Sequence, residues 1–364
     1  MIDPKIAASV ARRVAGDEAP PNSYLLQRLH RDLERSIERS EELVAEASGI
    51  APPTPVRWGL IDRAGWAEAN IDGMTQLLAP IAEKLGRGPE HRSLLDWPVA
   101  FAQRGIVSAE LGVLLGYMSR RVLGQYDVLI PEDEAAVGTT PSSSGRRRRK
   151  ARPALYFVAP NLVETERRFS FVPEDFALWV TVHEVTHRFQ FAGVPWLRER
   201  FFGLINSYLT SMDFDARSFA DRLARAGRRL ATRSAPPEER NPVYLLASDE
   251  QRAILDEIQA LMAVVEGHGN FVMDMVGARS IPSFSRMRST FDKRREQSTL
   301  LQRALNHVIG LEMKLRQYEL GQRFCESVYA TGGSAALAAL WSSPEGLPTL
   351  AELQKPDAWL RRVA

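Results

Sequence analysis

The chain has 364 residues, 45% apolar and 25% charged, with 47 Lys and Arg against 45 Asp and Glu for a net charge of +2. This excludes a disorder-rich chain and a surface built throughout for nucleic acid, and the length is enough to bury a sizeable core. The single cysteine, Cys325, can form no intrachain disulfide, so the bridge-held secreted class is excluded and a cytoplasmic location is expected.

The first twenty residues contain no apolar core of signal-peptide length, and no window reaches about 20 uninterrupted apolar residues, so no export signal or membrane span is expected. Apolar residues recur at three- and four-residue spacing along most of the chain, which predicts a mainly helical fold with only a few short strands. A helix is expected over 22–48, opening on an Asn cap and stopped by Pro52, Pro53 and Pro55. Further helices are expected over 62–85 and 108–123. Residues 138–153 (GTTPSSSGRRRRKARP) break this texture and read as an exposed flexible loop carrying five consecutive basic residues, Arg146 to Lys150. Residues 154–159 (ALYFVA), closed by Pro160, are the best strand candidate, either a core strand or an edge that pairs with an extended substrate.

Beyond it, helices are expected over 173–191, with Pro173 in the first turn, then 196–230, 248–275 and a pair across 283–331. The organisation expected is a helical region 1–137, the basic loop 138–153, and a catalytic region 154–364 packed with the first region as one unit.

Chemistry concentrates in the helix after Pro173. His183-Glu184-Val185-Thr186-His187 fits H-E-x-x-H: two histidines four apart share a helix face and can reach one metal ion, and the Glu beside the first can sit over an activated water. The extended pattern with Gly and a third His fails, because Gln190 stands at the Gly position and Gly193 at the His position. Glu266, in the apolar stretch ALMAVVEGHGNFVMDMV, is the preferred third ligand. A carboxylate among Leu, Met, Val and Phe needs a counter-charge, which a divalent cation supplies. Gly267 and Gly269 carry a helix penalty that a close helix approach would explain. Asn270 and Asp274, at i+4 and i+8, are candidate acceptors for the ligand imidazoles. His268 competes as ligand, but lies about 200° from Glu266 around the helix, and otherwise lines the substrate cleft or sits at a helix contact. His30, His91 and His307 have no ligand-spaced partner. A di-iron site built on Glu184 and His187 would need a second E-x-x-H, which no other histidine provides.

The strings WVTVHEVTHRFQFAGVPWLRE, VVEGHGNFVMD, MKLRQYELGQRF and LYFVAPNL resemble a bacterial family of zinc-dependent metalloproteases, found mainly in actinobacteria, one branch of which is labelled as associated with deazaflavin-cofactor biosynthesis. The resemblance implies a mainly helical zincin-like fold, with His183, His187 and Glu266 as zinc ligands and Glu184 as base. It brings no known substrate.

The function expected is a metallohydrolase acting on a peptide or protein, with one zinc per chain and Glu184 as general base. Tyr318, in the polar run with Lys314, Arg316 and Gln317, is the first candidate to stabilise the oxyanion. Two other classes compete. One is a catalytically silent zinc-bearing scaffold, against which the intact Glu184 argues. The other, least favoured, is a polyanion-binding protein using the Arg146 to Lys150 loop.

Overall fold

The computed structural model describes residues 2–16, 23–79, 96–130, 153–212, 244, 246–296 and 311–363. These form helices α1 (Pro4–Ala15), α2 (Ser23–Ser48), α3 (Arg63–Leu77), α4 (Asp96–Ser119), α5 (Ala159–Phe169), α6 (Pro173–Gly193), α7 (Pro195–Thr210), α8 (Asp249–Ser280), α9 (Phe284–Glu296), α10 (Leu311–Ser342), α11 (Leu350–Leu353) and α12 (Pro356–Val363), with strands β1 (Trp58–Ile61), β2 (Gly124–Tyr126) and β3 (Leu155–Val158). The fold is mainly helical, as the periodicity predicts, and no described helix is long and apolar enough to cross a membrane. The basic run Arg146 to Lys150, His91 and His307 lie outside the described residues.

The chain divides into two compact units, Met1–Val44, Pro52–Arg188 and Gly277–Met287 in the first and Ala45–Ala51, Phe189–Val276 and Arg288–Ala364 in the second. In the first, α1, α3 and α4 pack on one another around Ala7, Ala11, Trp66, Ala67, Ile71, Leu111 and Leu115. Helix α1 starts where it does because Asp3 accepts from the N–H groups of Lys5 and Ile6 while Pro4 takes the first helical position. Helix α4 ends at Ser119 rather than reaching 123. There Asn161 donates to the carbonyls of Ser119 (2.7 Å) and Val122 (2.6 Å) and accepts from Arg63 Nε at 2.6 Å, fixing the turn that leads into β2.

The sheet has the order β1-β3-β2, with β1 parallel and β2 antiparallel to β3. Strand β3 is buried at every position. It is the strand expected at 154–159, and the idea that it offers an edge to substrate is corrected: both its sides are filled, and the antiparallel edge belongs to β2. At four and three residues, β1 and β2 are too short to announce themselves by alternation.

Helix α6 opens on Pro173, with Glu174 and Asp175 facing the positive end of its dipole. It is buried over most of its surface: Phe176, Ala177, Leu178, Trp179, Val180, Val182 and Val185 are all buried. Two polar contacts join it to α2. Ser40 and Thr181 share a hydroxyl–hydroxyl bond of 2.9 Å, and the Arg188 guanidinium, 1% exposed, pairs with Glu41 at 3.0 Å. Burial pulls the Arg188 pKa down, and Glu41 holds the charge in place.

In the second unit, α10 packs on α11, α12 and the turn Pro344–Gly346. Trp359 is fully buried, donates from Nε1 to the Gly346 carbonyl at 2.8 Å and meets Phe324 edge-on. Arg362 binds Glu352 and the carbonyls of Glu345 and Leu347, closing the C-terminal segment. Helix α10 is broken at Gly333 (φ 65°, ψ −159°), which only glycine adopts readily, and resumes to Ser342. Helices α8 and α10 cross backbone on backbone. A β-carbon added at Gly321 would fall on the Ala263 carbonyl, and one at Gly267 on the backbone of Gly321 and Gln322. Gly267, which the sequence marks as a point of close approach, therefore meets Gly321.

Two consequences can be measured by urea unfolding. Glu41→Gln removes the carboxylate paired with a buried cation and is expected to cost about 3 kcal/mol, most of it recovered by combining Glu41→Leu with Arg188→Met. Gly321→Ala is expected to cost about 2–3 kcal/mol by forcing α8 and α10 apart. Gly203→Ala, on α7 with nothing within 4 Å of the new methyl, should instead stabilise by about 1 kcal/mol.

Candidate metal centre

One turn of α6 separates His183 from His187, and their imidazoles turn toward a common point. The two Nε2 atoms stand 3.1 Å apart, with the rings edge-on at 4.6 Å between centroids. Two nitrogens bound to one tetrahedral zinc at 2.0–2.1 Å would be about 3.3 Å apart, so the observed separation fits a shared ion. The His183 pKa is pushed down to about 3, mainly because packing strips water from its ring and also because His187 repels a second positive charge. The ring is thus neutral, the form in which imidazole binds metal. Its Nδ1 is buried and has no hydrogen-bond partner among the described residues, so no competing bond turns Nε2 away from that point.

Glu266 lies on α8 between buried Val265 and Gly267 and is itself half-buried. Among the described residues, His183, His187 and Glu266 form the group able to hold a metal ion, each offering one ligand atom, all within 4.8 Å of one another. The donor set of two imidazoles and one carboxylate suits a catalytic divalent metal, which keeps a coordination position open.

Glu184 is buried beside the sheet edge. Its Oε2 accepts the N–H of Tyr126 at 3.1 Å. Strand β2 bonds to β3 through the Leu123 carbonyl and the Asp127 N–H, so the alternate residues Gly124 and Tyr126 direct their N–H and C=O groups to the opposite side. A β-carbon at Gly124 would sit 2.8 Å from Glu184 Cγ and 3.1 Å from Oε1, so only glycine lets the carboxylate lie against the strand. Neither Gly124 nor Tyr126 stands out in the sequence, because their role depends on a strand of three residues.

The remaining candidates are distributed as follows. His268 is fully buried, with Nδ1 3.0 Å from Gln190 Nε2 and its ring edge-on to Trp341, a histidine at a helix contact. Asn270 is half-buried one turn beyond Glu266. Asp274, about 12 Å along the axis from Glu266 by helix rise, accepts from Gln322 at 2.9 Å and pairs with Arg288 at 3.3 Å. Burial raises its pKa despite Arg288. Tyr318 belongs to α10, and its side chain lies outside the described residues. His30 is exposed, its ring tilted against Trp58 at 4.6 Å between centroids.

No curated protein matches the sequence. A crystal structure from Chloroflexus aurantiacus, described as that of a candidate hydrolase with a novel fold, superposes with a TM-score of 0.69 at 31% identity, covering 100% of this chain and 98% of the other. The family model described as "zincin-like metallopeptidase" matches residues 2–360, nearly the whole chain. The chain belongs to the zincin-like metallopeptidase family.

Proposed function

We propose that this protein is a zinc-dependent metallohydrolase that cleaves peptide bonds, with His183, His187 and Glu266 holding one zinc per chain and Glu184 acting as general base. The observation that carries the reading is the convergence of two imidazole nitrogens 3.1 Å apart with a carboxylate within 4.8 Å. The Chloroflexus relative's description as a candidate hydrolase supports the reaction class. A zinc ion at such a site supplies a Lewis acid that polarises a carbonyl and lowers the pKa of water.

The protein's own groups do the rest. Glu184, steadied by the Tyr126 N–H, takes a proton from the attacking water and returns it to the leaving amine. The outward N–H and C=O of Gly124 beside it suit the backbone of an extended peptide, which favours a peptide over a compact substrate. Asn270 is the outer acceptor in this reading, and a cytoplasmic location, inferred from the lone Cys325, belongs to the same proposal.

Elemental analysis of the purified chain should find one zinc, lost in both His183→Ala and Glu266→Ala; stoichiometric zinc in Glu266→Ala would refute that ligand. Glu184→Gln is expected to keep the metal and lose peptide hydrolysis by about 100-fold or more in a peptide-library digest. Gly124→Ala should likewise keep zinc, and its kcat/KM should fall by about 100-fold, because the new methyl displaces Glu184. Unchanged kcat/KM in Gly124→Ala would separate β2 from the chemistry.

A further inference from the structure

We propose that Gln190 is the positioning residue of the metal centre, setting zinc affinity by fixing the turn of α8 that carries Glu266; this rests on the ligand assignment made above. Gln190 follows His187 by three residues on α6 and is fully buried. Its Nε2 reaches two acceptors on α8, the Val265 carbonyl at 2.9 Å and His268 Nδ1 at 3.0 Å. A carbonyl oxygen can only accept, so the nitrogen end of the amide is the one that faces α8. Its two hydrogens then serve both acceptors, and His268 carries its own proton on Nε2.

The two contacts bracket Glu266, one residue before it and two after. A planar amide holding both ends of a helical turn resists sliding and rotation together. A slip of one residue would carry the Glu266 carboxylate about 100° around the axis and about 1.5 Å along it. The same turn is held elsewhere by the contact of Gly267 with Gly321. Gln190 is also the residue that departs from the extended H-E-x-x-H-x-x-G-x-x-H pattern. Where that pattern recruits its third ligand from a few residues on, this chain has an amide that grips the helix supplying the ligand instead. A buried amide satisfied for stability alone would account for the bonds, but not for their placement on either side of the carboxylate.

The test is zinc affinity, measured on the full chain by competition with a chromophoric chelator, with the melting temperature of the metal-free protein followed in parallel. Gln190→Met keeps length and volume but donates nothing, and is expected to weaken zinc binding by about 10–100-fold. Trp196→Phe removes the 3.0 Å bond from Trp196 Nε1 to the Trp341 carbonyl; it should lower the melting temperature and leave zinc affinity within about threefold. Should Gln190→Met not fold, Gln190→Asn retains an amide too short for both acceptors and should show the same loss. Wild-type affinity in the Gln190 variant, alongside loss in Glu266→Ala, overturns this inference alone. A wild-type chain that binds no zinc overturns the metallohydrolase reading, a Glu266→Ala variant that binds it normally overturns the ligand assignment, and either takes this inference with it.

Discussion

Burying α6 is the constraint on which the rest of the structure depends. A helix buried over most of its surface is ordinarily apolar throughout, yet this one carries Thr181, His183, Glu184, Thr186, His187, Arg188 and Gln190 within ten residues. Each polar group taken from water costs on the order of 1–3 kcal/mol unless it finds a partner. Thr186 is satisfied within the helix, by the Val182 carbonyl. Four of the others reach neighbouring elements: Thr181, which also bonds to the Leu178 carbonyl, and Arg188 bind α2, Glu184 binds β2, and Gln190 binds α8.

What was legible in the sequence follows from the same physics. Helix α6 could be read to within two residues, because its start carries Pro173 and two acids and its motif specifies three residues in five. Glu266 could be read because an isolated carboxylate in an apolar run needs a counter-charge, and Gly267 because a helical glycine needs a reason. The partner of Gly267 could not. Gly321 lies 54 residues on, in a stretch whose own pattern is ordinary. Asp274 is a candidate acceptor on periodicity alone, and the contacts of its Oδ2 with Arg288 and Gln322, from two other helices, leave no mark in the sequence pattern. Strand β2 left no signal because three residues cannot show alternation, and its contribution comes from its backbone and from the missing side chain of Gly124.

Charge at the proposed centre sets the kind of chemistry it can do. Cys325, the sole thiol, is buried, and its pKa is pushed far up by that burial, so it remains a neutral core residue rather than a thiolate ligand. The donors left are two imidazoles, of which packing holds His183 neutral, and one carboxylate. Together they offset one unit of a divalent cation's charge, where four thiolates would reverse it. An ion so held would retain its electrophilic character, and Glu184 is under a different restraint, its Oε2 fixed by a backbone N–H. In the proposed mechanism the two carboxylates diverge in role through their surroundings. Glu266 sits on a turn gripped by Gln190 and Gly321, where displacement is costly, as suits a ligand. Glu184 lies against a strand edge opened by one glycine, where a proton can be taken from water and passed on without rearranging a helix.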